Sequence, residues 1–331
     1  MKDILNSLYN YETLSRATAK EVLVNIATSK YNSSQVASFM SVYLMRPITV
    51  DELSGFREAM IDLCLKINFD ADDTIDIVGT GGDGKDTFNI STLSCFIVAG
   101  AGIKVTKHGN YGVSSISGSS NVLEAIGYNF TNQKNILEKH LNEAGLCFMH
   151  APLFHPAMKN VAPIRKELGV RTFFNMLGPI VNPCSPKFQM IGVYDLAMAR
   201  LYNYLLQNVD SKYTIVHSMD GYDEVSLTGN FKLISKHCEE IIEPNEIGFS
   251  KLKQEEIKGG NSIEEAAKLF INVLNGNGTK AQNSVVIANA AVAINCVRST
   301  HSLLDCIEEA KESLESKKAF DTFSTLIAIS K

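Results

Sequence analysis

The sequence predicts an α/β protein in which a small all-helical N-terminal domain precedes a larger α/β domain with a mostly parallel central sheet and flanking helices. Two observations predict this class. Residues 1–68 carry apolar residues at helical spacing and show no strand pattern. From residue 73 onward, short apolar strands alternate with helical segments, which is typical of a parallel sheet with right-handed crossovers. We place the helical domain at 1–70 and the α/β domain at 71–331, with 158–183 packing back on the helical domain.

Three helices are predicted in the N-terminal domain. The first covers 14–27, and Asn32 caps a second helix that ends before Pro47. Thr49 and Glu52 fit a capping box that starts the third. Apolar residues of this domain form a face wider than a small module can bury, namely Val22, Val24, Ile26, Val36, Phe39 and Met40. We therefore expect a homodimer through this segment.

The α/β domain follows with strands and helices in alternation. The predicted strands are 75–79, 103–107, 145–150, 189–194 and 213–218. The predicted helices are 90–101, 118–127, 133–144, 156–168 and 196–208. A hairpin is expected in which 225–227 and 231–234 flank Thr228-Gly229-Asn230. Three helices close the chain, and Ser262 caps the first of them.

Composition limits the possible functions. The 331 residues are 45% hydrophobic with a net charge of −5, which argues against a general nucleic-acid binder. The seven cysteines form no C-x-x-C pair, so we expect free thiols in a reducing compartment. The sequence starts without an apolar signal region and has no stretch of 18 uninterrupted apolar residues. We expect a cytoplasmic protein that does not span a membrane.

A glycine-dense turn at 79–84 lies between an apolar strand and a helix start at Asn89. Glycines let the backbone approach an anion, and the amides and dipole of the next helix favour it, so we expect a phosphate site. The turn also fits a dinucleotide fingerprint, but the next strand ends in Lys107-His108 instead of an acid. It nearly fits a P-loop, but Asp86 follows Lys85 where Ser or Thr is needed. A glycine turn with no ligand is the remaining alternative.

Two further segments can bind anions. Lys107-His108-Gly109-Asn110 lies at the carboxyl end of a strand, where ligands bind in open α/β sheets. The hydroxyl-rich segment 114–121 precedes a helix and can form a second anion cradle, although ordinary N-capping explains it equally well. Two cradles suggest a ligand with a phosphate at one end and a pyrophosphate at the other.

Charged residues suggest a metal and a carboxylate ligand. Asp223 and Glu224 follow a strand end, and adjacent carboxylates suit magnesium shared with substrate phosphates. Met158, Val161, Ala162 and Arg165 share one helical face. Such an arginine can bind a carboxylate ligand through its bidentate fork, or can form an internal salt bridge or a surface contact.

Together these motifs resemble those of the anthranilate phosphoribosyltransferases, in the fold family of nucleoside phosphorylases and class III phosphoribosyltransferases. The resemblance covers essentially the whole chain and keeps the family's order and approximate spacing. The matching segments are 79–83, 87–92, 107–110, Ser114-Ser115, Gly118-Ser119, 155–158, 163–165, 171–172, 175–179, 182–183 and 223–224.

The resemblance implies transfer of a phosphoribosyl group from phosphoribosyl pyrophosphate to the amine of anthranilate, with two magnesium ions, in tryptophan biosynthesis. The implied donor-binding residues are Gly79, Gly82, Asp83, Thr87, Asn89, Ile90, Ser91, Thr92, Lys107 and Ser119. The implied anthranilate-binding residues are Gly79, Asn110 and Arg165, with Ala151, Pro152, His155 and Met158 along a channel. The implied metal ligands are Ser91, Asp223 and Glu224. No general base is certain, and His108 is the nearest candidate.

Some positions depart from the family pattern. Tyr111 stands where arginine is common, Asn121 where aspartate is common, and Tyr222 where leucine is common. Two alternatives stay open. A pyrimidine-nucleoside phosphorylase shares the fold and a Lys-His-Gly signature, but the turn at 79–83 and the acidic pair argue against it. A non-catalytic nucleic-acid-binding relative is disfavoured by the acidic pI of about 5.8.

Overall fold

The computed structural model describes residues 1–69, 73–112 and 117–331. It divides into two compact units. The first comprises Met1–Ile67 and Ala151–Ser185, and the second comprises Asn68–His150 and Pro186–Lys331. The returning segment of the first unit is thus Ala151–Ser185, where the sequence suggested 158–183. The predicted fold class is confirmed, because helices build the first unit and the second contains a mostly parallel sheet of seven strands.

The elements are numbered in chain order. The helices are α1 (Lys2–Tyr9), α2 (Arg16–Ala27), α3 (Ser33–Met45), α4 (Val50–Leu63), α5 (Ile90–Gly100), α6 (Ser119–Ala125), α7 (Lys134–Glu143), α8 (Ala151–Phe154), α9 (Ala162–Leu168), α10 (Phe174–Leu177), α11 (Leu196–Leu206), α12 (Ile263–Leu274), α13 (Lys280–Val297), α14 (Leu303–Glu315) and α15 (Lys318–Ile329). The strands are β1 (Thr74–Gly79), β2 (Lys104–Gly109), β3 (Leu146–His150), β4 (Phe188–Gly192), β5 (Lys212–Ser218), β6 (Phe231–Ile234) and β7 (Glu239–Ile242). Short 3₁₀ turns cover Pro156–Asn160, Gly178–Ile180, Pro244–Ile247 and Gln254–Ile257.

Local capping signals determine where the N-terminal helices begin. Asn32 forms a capping box with Gln35, and Thr49 forms one with Glu52, as the sequence predicted for the latter. The α1 helix was not predicted. The segment after α9 packs on these helices through Phe173, whose ring stacks on Phe56 with 4.5 Å between centroids.

The predicted helix over 156–168 is wrong as a single element. A 3₁₀ turn at Pro156–Asn160 is followed by the separate helix α9. Pro163 explains the break, because it has no N–H to donate within a continuous helix and is tolerated only in a first turn. The expected shared face is lost with it, since Val161 is buried while Ala162 is exposed.

The sheet has the order β3-β2-β1-β4-β5-β6-β7. The first five strands in this order are parallel, and β6 and β7 are antiparallel to their neighbours. The carboxyl ends of β1 and β4 lie side by side, with Gly79 opposite Gly192. Ligands bind at this edge in open α/β sheets.

Two predictions in the C-terminal part are corrected. Residues 225–227 form no strand, and β6 pairs instead with β5 and β7. The Asn289 side chain takes both backbone polar groups of Val225, which therefore cannot join a strand ladder. Four helices, not three, close the fully described segment 262–331. The α14 and α15 helices are separated at Lys317, which adopts φ 70° without a glycine or proline to signal it.

The prediction that the N-terminal helices expose a wide apolar face is wrong. Five residues of that face are buried and Val24 is half-buried. The exposed large apolar residues of α1, α3 and their flanks are Tyr9, Tyr11, Leu44 and Met45. All seven cysteines are free thiols. Among the described residues, no helix is both long and apolar enough to cross a membrane.

Candidate active site

The glycine turn after β1 wraps around the Asp223 carboxylate. The Gly81 amide donates to Asp223 Oδ2 at 2.6 Å, and Gly81 holds φ +65°, which glycine adopts without strain. Gly79 has no space for a side chain, because a Cβ there would lie 2.4 Å from the same oxygen. The turn ends at Thr87, which forms an isolated bridge with Lys258. The turn thus presents backbone amides at the carboxyl edge of the sheet.

The N-terminus of α5 contacts the second carboxylate. The Ser91 amide donates to Glu224 Oε1 at 3.2 Å. Asn89 precedes the helix, as predicted, but its side chain makes no capping bond. Its Nδ2 donates instead to the Ser117 carbonyl at 3.1 Å, which ties the start of α5 to the hydroxyl-rich segment. Ile90 and Thr92 are both buried in the first turn of α5.

The acidic pair is buried and electrostatically unfavourable by itself. Asp223 is 7% exposed and Glu224 is 9% exposed. Burial raises the pKa of the Asp223 carboxyl, and the nearby Asp83 carboxylate adds to that shift. Burial likewise raises the pKa of Glu224, with Asp223 adding to the shift and Lys107 opposing it. Three close carboxylates with one nearby ammonium form a region that favours a cation.

Asp83 supplies a test of whether a metal ion fits. Its Oδ1 accepts from the Lys85 amide at 3.0 Å, while its Oδ2 is buried with no hydrogen-bond donor among the described residues. Carboxylate oxygens are the ligands that magnesium prefers, and magnesium is usually held by one or two of them together with substrate phosphates. No group of three or more His, Cys, Asp or Glu side chains in the described part of the chain is placed to hold a metal ion by itself. The adjacent pair Asp223 and Glu224 matches the one or two carboxylates with which magnesium is held when substrate phosphates supply further oxygens.

Lys107 is a buried residue of β2 that lies near the Glu224 carboxylate. It is 2% exposed, and its Nζ donates to the Ile77 carbonyl of β1 at 2.6 Å. The neighbouring His108 is 3% exposed, and its amide donates to Asp76 at 3.1 Å. Because successive side chains of a strand point to opposite faces, Lys107 and His108 lie on different faces of the sheet.

The loop after β2 is held by side-chain contacts to its own backbone. Ser119 Oγ donates to the Asn110 carbonyl at 3.2 Å. Asn121 Oδ1 accepts from the amides of Gly112 and Gly118 at 2.9 and 3.0 Å. The uncharged amide oxygen of Asn121 thus accepts both of these hydrogen bonds. The predicted contribution of Ser114 and Ser115 lies outside the described residues.

The predicted anthranilate-binding arginine belongs to the first unit. Arg165 Nη2 donates to Asn175 Oδ1 at 3.2 Å, and its guanidinium lies 5.3 Å from the centre of the Phe174 ring. Burial lowers the pKa of Arg165 below its ordinary value, and a guanidinium nevertheless remains charged. The Arg165 guanidinium is therefore held by the side-chain amide of Asn175 and the ring of Phe174.

The predicted channel residues are also in the first unit. The His155 amide donates to the Ala151 carbonyl at 2.9 Å, and the Met158 amide donates to the His155 carbonyl at 3.0 Å. Burial lowers the pKa of His155 to about 4, so this imidazole is neutral at pH 7. Pro152 is exposed. Asn110 and the donor-site residues belong to the second unit.

Three residues at the site were missed by sequence reasoning. Gly192 ends β4, and a Cβ there would lie 1.6 Å from the Asp223 carbonyl oxygen. Ser218 Oγ donates to the Glu224 carbonyl at 2.6 Å. Asn289 bonds to Val225 from α13. The available signals were a glycine at a strand end and a lone asparagine in the apolar stretch 285–294.

Two family models match the chain. The helical bundle domain of the glycosyl transferase family matches residues 2–64, and the α/β domain of that family matches residues 71–320. The fold and the site thus define a glycosyltransferase. A relative from Flavobacterium psychrophilum, an anthranilate phosphoribosyltransferase, is 58% identical over 330 residues and is matched over 100% of both chains. The chain belongs to the anthranilate phosphoribosyltransferase family, and the predicted resemblance is confirmed.

Solved structures agree with this assignment. Anthranilate phosphoribosyltransferase from Thermus thermophilus superimposes with a TM-score of 0.92 at 30% identity, covering 98% of each chain. The Saccharomyces cerevisiae enzyme in complex with PRPP and Mg superimposes with a TM-score of 0.91 at 25% identity, covering 98% of this chain and 96% of that one.

Proposed function

We propose that this protein transfers the phosphoribosyl group of phosphoribosyl pyrophosphate to the amine of anthranilate, giving N-(5-phosphoribosyl)anthranilate and pyrophosphate in tryptophan biosynthesis. The observation that carries the proposal is the buried acidic pair, which bonds to the amides of the glycine turn and of α5 in a chain of this family. The structure of the Saccharomyces cerevisiae enzyme in complex with PRPP and Mg supports magnesium as the cofactor of this protein.

The donor site lies in the second unit, at the carboxyl edge of the sheet. Backbone amides of the glycine turn and of α5 bind the pyrophosphate and ribose, as helix N-termini and glycine loops commonly do. Lys107 and Ser119 bind phosphate oxygens. The residues assigned to the donor are Gly79, Gly82, Asp83, Thr87, Asn89, Ile90, Ser91, Thr92, Lys107 and Ser119.

Two magnesium ions would be held by Ser91, Asp223 and Glu224 together with the pyrophosphate. The burial of both carboxyl groups beside the Asp83 carboxylate, together with their raised pKa values, supports a cation here. When bound, magnesium neutralises the pyrophosphate oxygens and so makes the group easier to expel.

The residues assigned to anthranilate are Gly79, Asn110 and Arg165, and the Arg165 guanidinium would bind its carboxylate. Arg165 is already oriented by Asn175, so less rotamer freedom is lost when a planar carboxylate binds. Ala151, Pro152, His155 and Met158 line the channel, and the neutral His155 adds no charge to it. We also propose that the two compact units are the two domains of the protein.

The reaction breaks the bond between C1 of the ribose and the pyrophosphate oxygen, which leaves with the electron pair. The amine nitrogen forms the new bond to C1 and releases a proton to water. Backbone amides of the turn and of α5 and the Lys107 ammonium stabilise charge on the leaving group. An aromatic amine attacks as a neutral nucleophile, so positioning of the two substrates supplies much of the acceleration.

We do not assign a general base. His108 is the sequence candidate, but strand alternation directs its side chain to the face opposite Lys107.

We propose that the protein is a cytoplasmic homodimer formed through the helical unit. Tyr9, Tyr11, Leu44 and Met45 are 55%, 78%, 48% and 83% exposed, and a second copy of this chain would cover them. Light scattering at micromolar concentration should give a dimer mass, and Met45→Glu should shift it towards the monomer. A wild-type monomer mass would contradict this proposal.

The activity is tested by mixing the protein with anthranilate, phosphoribosyl pyrophosphate and magnesium and following the loss of anthranilate fluorescence. We expect loss that requires all three components. Phosphate-dependent cleavage of pyrimidine nucleosides without magnesium would instead indicate a nucleoside phosphorylase. Salt-dependent DNA binding without turnover would indicate a nucleic-acid-binding relative.

A further inference from the structure

Asn289 of α13 bonds to both backbone polar groups of Val225, the residue that follows the acidic pair. Its Oδ1 accepts from the Val225 amide at 2.9 Å, and its Nδ2 donates to the Val225 carbonyl at 2.8 Å. The same Nδ2 donates to the Val285 carbonyl at 2.8 Å, one turn earlier in the helix. The Asn289 side chain thus makes the two hydrogen bonds to Val225 that a neighbouring strand would make, and it connects Val225 to α13.

The helix that carries Asn289 is a rigid support. Residues 285–294 of α13 are all buried, and Asn289 is 0% exposed. Placing an amide among apolar side chains is costly unless its hydrogen bonds are made. Here those bonds go to the acidic segment and to the helix itself, so this buried polar residue contributes mainly to the position of 223–225.

Ser218 at the end of β5 holds the same segment from the sheet. Its Oγ donates to the Glu224 carbonyl at 2.6 Å and accepts from the Ser226 amide at 3.1 Å. Ser218 is also 0% exposed. The backbone of Glu224 and Val225 is therefore fixed on one side by a strand and on the other by a helix.

We infer that Asn289 is a positioning residue for the metal-binding carboxylates Asp223 and Glu224, with Ser218 as its counterpart in the sheet. This rests on the proposed function of the acidic pair. The Gly81 and Ser91 amides hold the carboxylates themselves. Their backbone lies on a loop that lacks a strand ladder, so its position depends on the side chains of Asn289 and Ser218. Partners that orient metal ligands typically change metal affinity or activity about 10- to 100-fold when they are removed.

The test compares Asn289→Ala and Ser218→Ala with Ser313→Ala as a matched control. Ser313 is 1% exposed in the same core, and its Oγ donates to the Ile97 carbonyl at 2.7 Å, away from the acidic pair. Binding of phosphoribosyl pyrophosphate is measured by calorimetry at increasing magnesium, without anthranilate. Melting temperature and the KM for anthranilate are measured alongside.

We expect both test variants to need about 10-fold more magnesium for half-maximal donor binding, with the anthranilate KM unchanged. The control should lose stability yet keep the wild-type magnesium requirement. If Asn289→Ala does not fold, Ser218→Ala decides. The inference, but not the proposed function, would be overturned if the folded test variants kept the wild-type magnesium requirement. It would also be overturned if Ser313→Ala showed the same increase in that requirement. A wild-type protein that binds no donor would overturn the proposed function, and this inference with it.

Discussion

Gly192 and Asp223 are packed so closely that a Cβ on Gly192 would lie 1.6 Å from the Asp223 carbonyl oxygen. Gly79, its partner across the β1–β4 pair, also leaves no room for a side chain, because a Cβ there would lie 2.4 Å from Asp223 Oδ2. Because β1 and β4 both end in glycine, the segment that carries Asp223 can pack against the edge of the sheet.

Replacing Gly192 with alanine should displace this segment. Overpacking of a core typically costs about 1–3 kcal/mol in the free energy of unfolding, and a misplacement of about 1 Å can cost 100-fold in rate. We expect Gly192→Ala to fold and to lose about 100-fold in kcat/KM for the donor. Gly229→Ala is the control, because its Cβ would meet only ordinary contacts of 3.4–3.6 Å. Equal activity of the two variants would show that the acidic segment tolerates displacement.

Asp223 and Glu224 should be required for magnesium-dependent turnover but not for folding. The isosteric double variant Asp223→Asn, Glu224→Gln removes two buried carboxyl groups whose charged forms are disfavoured by burial. We expect turnover to be nearly abolished, and the melting temperature of the metal-free protein to stay the same or rise. Assays at limiting magnesium check the first part and thermal denaturation checks the second. Wild-type-like activity under those conditions would refute the metal assignment.

Arg165 should determine anthranilate affinity. A charge-assisted hydrogen bond to a buried carboxylate is typically worth about 1.5–3 kcal/mol. Arg165→Ala should therefore raise the anthranilate KM about 10- to 150-fold and leave donor binding nearly unchanged. The exposed neighbour Lys166 provides the control variant Lys166→Ala. Loss of donor affinity with an unchanged anthranilate KM would make Arg165 a phosphate ligand or a structural residue.

Lys85 and Tyr222 form a second contact between the glycine turn and the acidic segment. The Lys85 ammonium lies 4.7 Å from the centre of the Tyr222 ring, which is 1% exposed. A cation–π contact of this kind is worth about 0.5–1 kcal/mol. Tyr222→Leu, which introduces the residue common in the family, should raise the donor KM about 2- to 5-fold. Tyr222→Phe keeps the ring and should behave like the wild type, so a similar loss in Phe and Leu variants would exclude the ring as the cause.

Arg46 and Glu52 should stabilise the helical unit in a pH-dependent way. Glu52 is 0% exposed and accepts hydrogen bonds from Arg46, Thr49 and the Leu14 amide. Burial by itself raises the pKa of Glu52, but these hydrogen bonds outweigh it, and the pKa lies below its ordinary value. The stabilisation is therefore complete above the unfolded pKa of about 4.3 and is lost as pH falls through the folded pKa.

Arg46→Met should lower the free energy of unfolding by about 3–5 kcal/mol at pH 7, because it leaves a buried charge unpaired. Urea denaturation at pH 7 and at pH 3 measures the effect, which should shrink at the lower pH. The exposed pair Lys20–Asp62 is the control, and Asp62→Asn should cost no more than about 1 kcal/mol. A loss at Arg46 no larger than this control would show that the buried pair contributes little.

Local sequence signals predicted the elements that depend on neighbouring residues. The capping box of Thr49, the Ser262 cap and the parallel strands of the sheet are all present within a few residues of their predicted positions. The family and the glycine turn followed from the same kind of signal, because phosphate-binding turns require glycines at adjacent positions in the chain. Capping and strand formation depend on interactions among residues near in sequence, so a single sequence contains enough information for them.

Features that depend on distant contacts were decided only by the tertiary structure. Residues 225–227 read as a strand, yet Asn289, 64 residues away from Val225, takes the hydrogen bonds that a strand would need. The helical face for which the sequence predicted a second copy is largely buried, and Phe39 on this face packs edge-on against Phe173 of the returning segment. The approach of Asp223 to Gly192 has no local signature, because the two residues meet only after the sheet has formed. Packing and buried hydrogen bonds act between segments far apart in the chain, so the sequence determined which elements form and the assembled fold determined what they contact.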